Sequence, residues 1–214
     1  MSSTAISAQG SAIKIGTGTG GAKTITAIAV GFPTIITSAA HGLSNGDRVT
    51  ISGVTGADAA LLNGLVFTVK NVTTNTFALD VNSVGKTLTA TGTATPVTYT
   101  AVGNAKSFSG FDGAAAEIDV TNLASTAKEF RLGLIDNGGF SFELDQDNGD
   151  GGQSAVRAAQ ISGAVKDFKL ELPGGSTPVA SFQGYVKTFQ SSGGVDDVVK
   201  GSVQIRITGP VAWA

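Results

Sequence analysis

The sequence predicts a mainly β protein with one short α-helix, and three observations predict it. Glycine supplies 30 of 214 residues and charged residues only 14%, against about 7% and about 25% in ordinary domains. Turns should therefore be many and solvated helical faces few. Short β-branched runs recur between turn signals, and within them apolar and polar residues alternate with a period of two, which puts one strand face in a core and the other in solvent. With 41% hydrophobic residues the chain can bury a core, and its length suits one large domain or two small ones.

Composition changes near residue 101. Residues 1–100 hold 5 Lys+Arg and 3 Asp+Glu and the rest hold 9 and 13, while 20 of 25 Thr precede the boundary and 8 of 11 Phe follow it. Two modules with different cores account for this. The part before Lys23 is poor in large apolar residues and ends in Gly16-Thr-Gly-Thr-Gly-Gly21, so it reads as a mobile arm that orders when something binds it.

In the middle module, strands are expected at 24–30, 34–37, 48–51, 65–72, 76–81 and 87–93. Alternation groups Val49 with Ile51, Leu65 with Phe67 and Val69, and Phe77 with Leu79 and Val81, leaving Thr50, Thr68 and Asp80 outward. Ser44-Asn-Gly-Asp47 and Asn71-Val-Thr-Thr-Asn75 supply turns. A small barrel or sandwich results. In the last module, Phe140, Phe142 and Leu144 alternate with Ser141, Glu143 and Asp145, and Phe168, Leu170 and Leu172 with Lys169 and Glu171. Val203, Ile205 and Ile207 repeat the pattern within a longer run, 200–209, which pairs in length with 179–190 across the flexible, acidic-tipped loop 191–197. Residues 153–161 contain good helix formers with Val156 and Ile161 near helical spacing and Gly163 as a stop. One helix of about three turns is expected there.

Much chemistry is excluded. With 0 Cys and 1 His, disulfides, thiol catalysis and His-cluster or Cys-based metal sites are unavailable. A net charge of −2 gives no basic footprint for phosphate backbones. The N-terminus lacks a secretory pattern, and the longest uncharged run, 24–46, is broken by Gly31, Pro33 and Gly42, so no membrane insertion is expected.

Three motifs suggest ligands and fail on context. Gly16-Thr-Gly18-Thr-Gly-Gly21 has dinucleotide spacing, but a β-branched run rather than a helix follows it, and it reads as a hinge. Asp145-Gln-Asp147-Asn-Gly149-Asp150 starts like a calcium loop, yet Gly149 occupies the third ligand position and Val156 the twelfth. It reads as an acidic loop whose Asp150 favours the following helix N-terminus. His41 has no catalytic partner in sequence and reads as a hydrogen-bonded turn residue. No catalytic, cofactor-binding or metal residue is assigned, and no enzyme is expected.

Two resemblances follow. His41-Gly-Leu-Ser-Asn-Gly-Asp-Arg-Val-Thr-Ile-Ser-Gly53, with Asn63-Gly-Leu-Val-Phe-Thr-Val69 and Thr76-Phe-Ala-Leu79, resembles a small β-module of phage structural proteins. It is also similar to the first catalytic-cysteine half-domain of ubiquitin-activating enzymes, whose catalysis cannot carry over without cysteine. From Lys106 onward, Glu117-Ile-Asp-Val-Thr-Asn-Leu123, Glu129-Phe-Arg-Leu-Gly-Leu-Ile-Asp-Asn-Gly138, the strand at 140–145, the helix, Phe182-Gln-Gly-Tyr-Val186 and the ending at 196–209 together resemble the tail tube proteins of long-tailed phages.

That resemblance implies a tail-tube β-sandwich or half-barrel with one helix, built from the arm at 1–23 and residues 102–214, with a small all-β barrel-like domain inserted at 24–101. It implies stacked hexameric rings of this chain in a virion tail made in the bacterial host cytoplasm, no cofactor, and terminator, tip and tape-measure proteins as partners. DNA would pass through the lumen without specific binding. Lumen-facing candidates are Ser141, Glu143, Asp145, Asp167, Lys169 and Glu171, with a solvated outer face as the competing reading. Inter-ring and inter-subunit candidates are Ile13 and Ile15 in the arm, Phe111 and Asp112 beside the 112–116 loop, and Asp196 and Asp197 at the hairpin tip. These segments are expected to order on assembly. An outward module would obstruct a sheath, which implies a non-contractile tail. A monomeric β-sandwich binding glycans or surfaces is the alternative, although Tyr99, Tyr185 and Trp213 lie apart in sequence.

Overall fold

The computed structural model describes residue 5 and residues 7–89, 91–174 and 179–213. In chain order the elements are β1 (Ala12–Thr19), β2 (Lys23–Thr24), β3 (Ala27–Ala29), β4 (Thr34–Thr37), β5 (Arg48–Ser52), a 3-10 turn (Ala59–Leu61), β6 (Val66–Lys70), β7 (Thr76–Leu79) and β8 (Thr93–Ala101). There follow β9 (Ala105–Gly110), β10 (Ala114–Asp119), β11 (Phe130–Asp136), β12 (Gly139–Asp145), α1 (Gly151–Ser162), β13 (Lys166–Glu171), β14 (Val179–Ser192) and β15 (Lys200–Trp213). The protein is mainly β with one short helix, as the alternation predicts.

Two compact units divide the chain: one takes in 1–102, 167–182 and 211–214, the other 103–166 and 183–210. In the first, antiparallel pairing runs β4-β7-β6-β5-β8. The stretch 23–29 then joins both ends of that order, β2 on β8 and β3 on β4, which closes a small barrel. Its interior holds Ile36, Val49, Ile51, Leu62, Val69, Phe77 and Leu79, all fully buried, each stabilising by roughly 1.5–3 kcal/mol on burial. Leu65, expected inside, precedes β6 and is exposed.

β8 serves two sets of partners. Its first residues pair with β5 and β2, while Val97–Ala101 pair with β1, and β1 in turn pairs with β13. The expected strand at 87–93 is absent, apart from a bridge between Thr55 and Thr89. Gly92 stands at φ +104 against the backbone of Ser52 and Gly53, so the chain bends there and the strand starts one residue later.

The expected mobile arm is also corrected. Residues 1–4 and 6 of it lie outside the described residues, but 12–19 form β1, with Ile13 and Ile15 buried beside Leu170 and Phe168 in register. Two isoleucines at a spacing of two provide a core face of their own, and the glycines that follow let β1 approach β8 and β13 closely: a Cβ on Gly16 would stand 3.0 Å from Val97 and 3.3 Å from the Asp167 carbonyl.

In the second unit, β15 and β9 flank β12 in antiparallel register, and β14 lies beyond β15. Phe140, Phe142, Leu144, Val203 and Ile205 form the buried face, with Phe108 and Phe111 packed on Phe140 at centroid distances of 6.3 and 5.4 Å. The helix appears where expected. Asp150 caps it, accepting from the Gln153 amide at 2.6 Å, and Gly163 ends it at φ 64. Residues 114–116, read as part of a loop, belong to β10, which pairs with β11 as a separate two-stranded ribbon. Their small alanines gave no strand signal in the sequence.

Candidate functional site

On the second unit, cross-strand register places Ser109, Ser141 and Gln204 side by side, and Ser107, Glu143 and Ser202 in the next row. Their neighbours along β12 and β15 are buried and Phe108 between the two serines of β9 is half-buried, so these residues form the opposite, polar face of the sheet. Ser107 Oγ donates to Glu143 Oε2 at 3.3 Å. Asp145 is ion-paired to Lys106 at 2.7 Å, and Arg206 to Asp136. Hydrogen bonds from the Gly138 amide and from Arg206 hold the Asp136 carboxyl below the usual range. Lys187, Arg206 and Asp112 border a cleft of about 220 Å³ beside Ser141. The face is thus lined by hydroxyls and amides with charges of both signs, rather than by an acidic wall.

Of the six lumen candidates, only Ser141, Glu143 and Asp145 belong to this face. The other three lie elsewhere and are engaged. Lys169 is only 5% exposed; its Nζ lies 2.7 Å from Asp47 Oδ1 and sits over the Tyr99 ring at 5.2 Å. Asp167 pairs with Arg48 at 2.7 Å and Glu171 with Lys14 at 2.7 Å. A polar residue inside a strand had suggested a solvated face, but here the polar partners come from β1, β5 and the turn before β5. Burial pushes the Tyr99 phenol up, reinforced by Asp167, and its hydroxyl finds no hydrogen-bond partner among the described residues. Sequence reading missed this ion-pair group because its members lie more than 100 residues apart.

The inter-subunit candidates separate as well. Ile13 and Ile15 are enclosed by their own chain. Asp112 is exposed and accepts from the Gly139 amide at 2.9 Å. Phe111 is half-buried at φ 62, in contact with Phe140. Asp196 and Asp197 are exposed at the β14–β15 tip, where Lys200 holds the Asp197 carboxyl below its usual range.

His41 is a buried turn residue. Its Nδ1 accepts from the Leu43 amide at 3.0 Å, its Nε2 lies 3.3 Å from the Thr76 carbonyl, and its ring meets Phe77 edge-on. The acidic residues of 145–150 serve the chain itself: Asp147 accepts from Gly149, and Asp150 from Gln153 and Gly103. Gln153, which the sequence did not single out, is 3% exposed and fully bonded, accepting from Asp147 N and donating to the carbonyls of Gly103 and Asp145.

Residues 89–214 match the model of the lambda phage tail tube protein family. The chain belongs to that family. It is a structural protein of the phage particle's tail, which accords with a mainly β chain whose polar groups serve strands, caps and turns. The family match begins inside the Thr-rich region and leaves 1–88 beyond it. Among curated proteins none matches. Similar solved structures are titled as the virion of a native gene transfer agent particle (TM-score 0.46, 14% identity, covering 54% of this chain and 88% of that one) and the tail of an empty gene transfer agent particle with C6 symmetry (0.45, 15%, 54% and 86%). Another is the six-fold symmetrised baseplate of the anti-feeding prophage (0.43, 6%, 81% and 95%). No described helix is long and apolar enough to cross a membrane.

Proposed function

We propose that this tail tube protein polymerises as stacked hexameric rings around a channel through which DNA passes into the host, in a non-contractile tail. Its role is structural rather than enzymatic, and terminator, tip and tape-measure proteins are its further partners. Residues 24–101 are an outward-facing inserted module, with the tube domain drawn from 1–23 and 102–214. Membership of the tail tube family carries the reading.

Two physical features support it. β9 ends the strand order of the second unit, and its unpaired edge offers backbone groups to another subunit, so ring closure turns an aggregation liability into assembly. The polar face of Ser107, Ser109, Ser141, Ser202 and Gln204 suits a lumen: its hydroxyls and amides offer few fixed cations to displace counterions from DNA, so a duplex slides rather than binds. Glu143 adds repulsion at this face, while Asp145 is paired with Lys106.

Negative-stain microscopy of the purified chain at high concentration tests the proposal. Hollow tubes or six-fold rings are expected. A strictly monodisperse monomer that binds glycans would overturn it in favour of a surface-binding module.

A further inference from the structure

Among the described residues the ribbon β10–β11 pairs with no other strand, and a two-stranded ribbon is at best marginally stable alone. It nevertheless exposes large apolar side chains: Phe130 is 53% exposed, Leu132 74% and Ile135 68%. Residues directly opposite share a face. Phe130 lies opposite Asp119 and Leu132 opposite Glu117, and beyond a register shift Ile135 lies opposite Ala115 on the same face. The apolar strip therefore carries two carboxylates, and hydrogen bonds from Thr121 hold the Asp119 carboxyl below its usual range. A patch of this kind marks an interaction surface.

Charge selects the occupant. Two ribbons meeting face to face would set Glu117 and Asp119 against their copies, an unfavourable like-charge contact. The exposed Val195 and Val198 at the β14–β15 tip are excluded for the same reason, since Asp196 and Asp197 lie between them. The end of α1 has the opposite sign: Ile161 is 81% and Val165 52% exposed, with Arg157 one turn before Ile161 and Lys166 following Val165. Arg157 is steadied over the Phe189 ring at 4.8 Å.

We infer that the Phe130–Leu132–Ile135 strip of one subunit docks on Ile161 and Val165 of a second copy, with Glu117 and Asp119 meeting Arg157 and Lys166. The two surfaces differ, so the contact is heterologous and generates a ring or a filament rather than a closed pair. This inference rests on the tube reading and names one contact within it.

The chain has 0 Cys, so introduced cysteines report without background. The full chain carrying both Ile135→Cys and Ile161→Cys is assembled, oxidised and run on a non-reducing gel, beside a mixture of the two single variants and a second double variant, Leu132→Cys with Val165→Cys. A covalent ladder is expected from a double variant and a dimer from the mixture. Tubes without a ladder from either double variant overturn this contact and leave the tube reading standing. A dimer from Ile135→Cys alone overturns it in favour of ribbon self-pairing. Neither tubes nor ladder overturns both readings.

Discussion

Lys169 Nζ lies 2.7 Å from Asp47 Oδ1, joining β13 to the turn before β5 across 122 positions of sequence. The lysine side chain is 6% exposed and the aspartate 23%. Removing one partner of such a pair leaves the other charge poorly solvated, which costs more than the intact pair contributes. Asp47 also accepts from the Ser44 amide at 2.8 Å. Asp47→Asn should lower unfolding stability by about 2 kcal/mol, less than a fully buried pair because Asp47 is partly exposed and Glu171 lies 3.9 Å from the ammonium. Urea unfolding checks it. A change under about 0.5 kcal/mol would mean that the pair is solvated in solution.

Tyr99 is the converse case, a polar group whose removal should help. Its hydroxyl is enclosed without a partner among the described residues, while its ring supports the Lys169 ammonium. Tyr99→Phe keeps the ring and removes the orphan, and should stabilise by about 1 kcal/mol. The pH dependence has a definite sign. Burial raises the phenol above its ordinary 10.0, so its contribution is fully present below pH 10 and is lost as pH rises, because the unfolded chain ionises while the folded one does not. The stability advantage of Tyr99→Phe over the wild type should therefore widen above pH 10, measured by thermal melts across pH 8–11.

How much was legible depended on whether the determining contacts were local. The strand at 140–145 and the helix before Gly163 follow from spacing within a few residues, and both form where expected. The turn at 44–47 likewise rests on Asp47 accepting from Ser44. The candidate lumen residues Asp167, Lys169 and Glu171 looked like Ser141, Glu143 and Asp145 in pattern. They differ only because Arg48, Asp47 and Lys14 reach them, and those are long-range facts. β1 was hidden by its glycines, β8 by Pro96 among threonines, and β10 by a run of alanines. In each, the partner strand rather than the intrinsic propensity decides the conformation.

Gln153 shows the same limit at one residue. From sequence it is an ordinary polar position on a helix. Its carboxamide in fact satisfies the Asp147 amide and the Gly103 and Asp145 carbonyls, at 2.9, 3.0 and 3.0 Å. Gln153→Leu preserves volume but leaves these backbone groups without their partner, and should cost about 3 kcal/mol. Gln153→Glu should also destabilise, since a carboxylate cannot donate to the two carbonyls. Denaturant midpoints of the three chains check the order; equal midpoints would show that water replaces the amide.

The polar face gives the prediction closest to function. Ser141 sits between Ser109 and Gln204 in register, on a face where Asp145 is paired with Lys106 and Asp136 with Arg206. Ser141→Lys would place one additional cation per subunit there, and a ring of six would carry six. If this face lines the channel, each added cation can engage a phosphate and release a counterion, so retention of DNA should rise steeply and fall again with salt. Particles built with Ser141→Lys subunits should release their DNA several-fold more slowly at low salt, with the difference shrinking as salt is raised, as followed by the fluorescence of ejected DNA. The subunit fold should be unaffected because Ser141 lies on the partly solvated face. Unchanged release at every salt concentration, from tails of normal length, would place this sheet face away from the DNA.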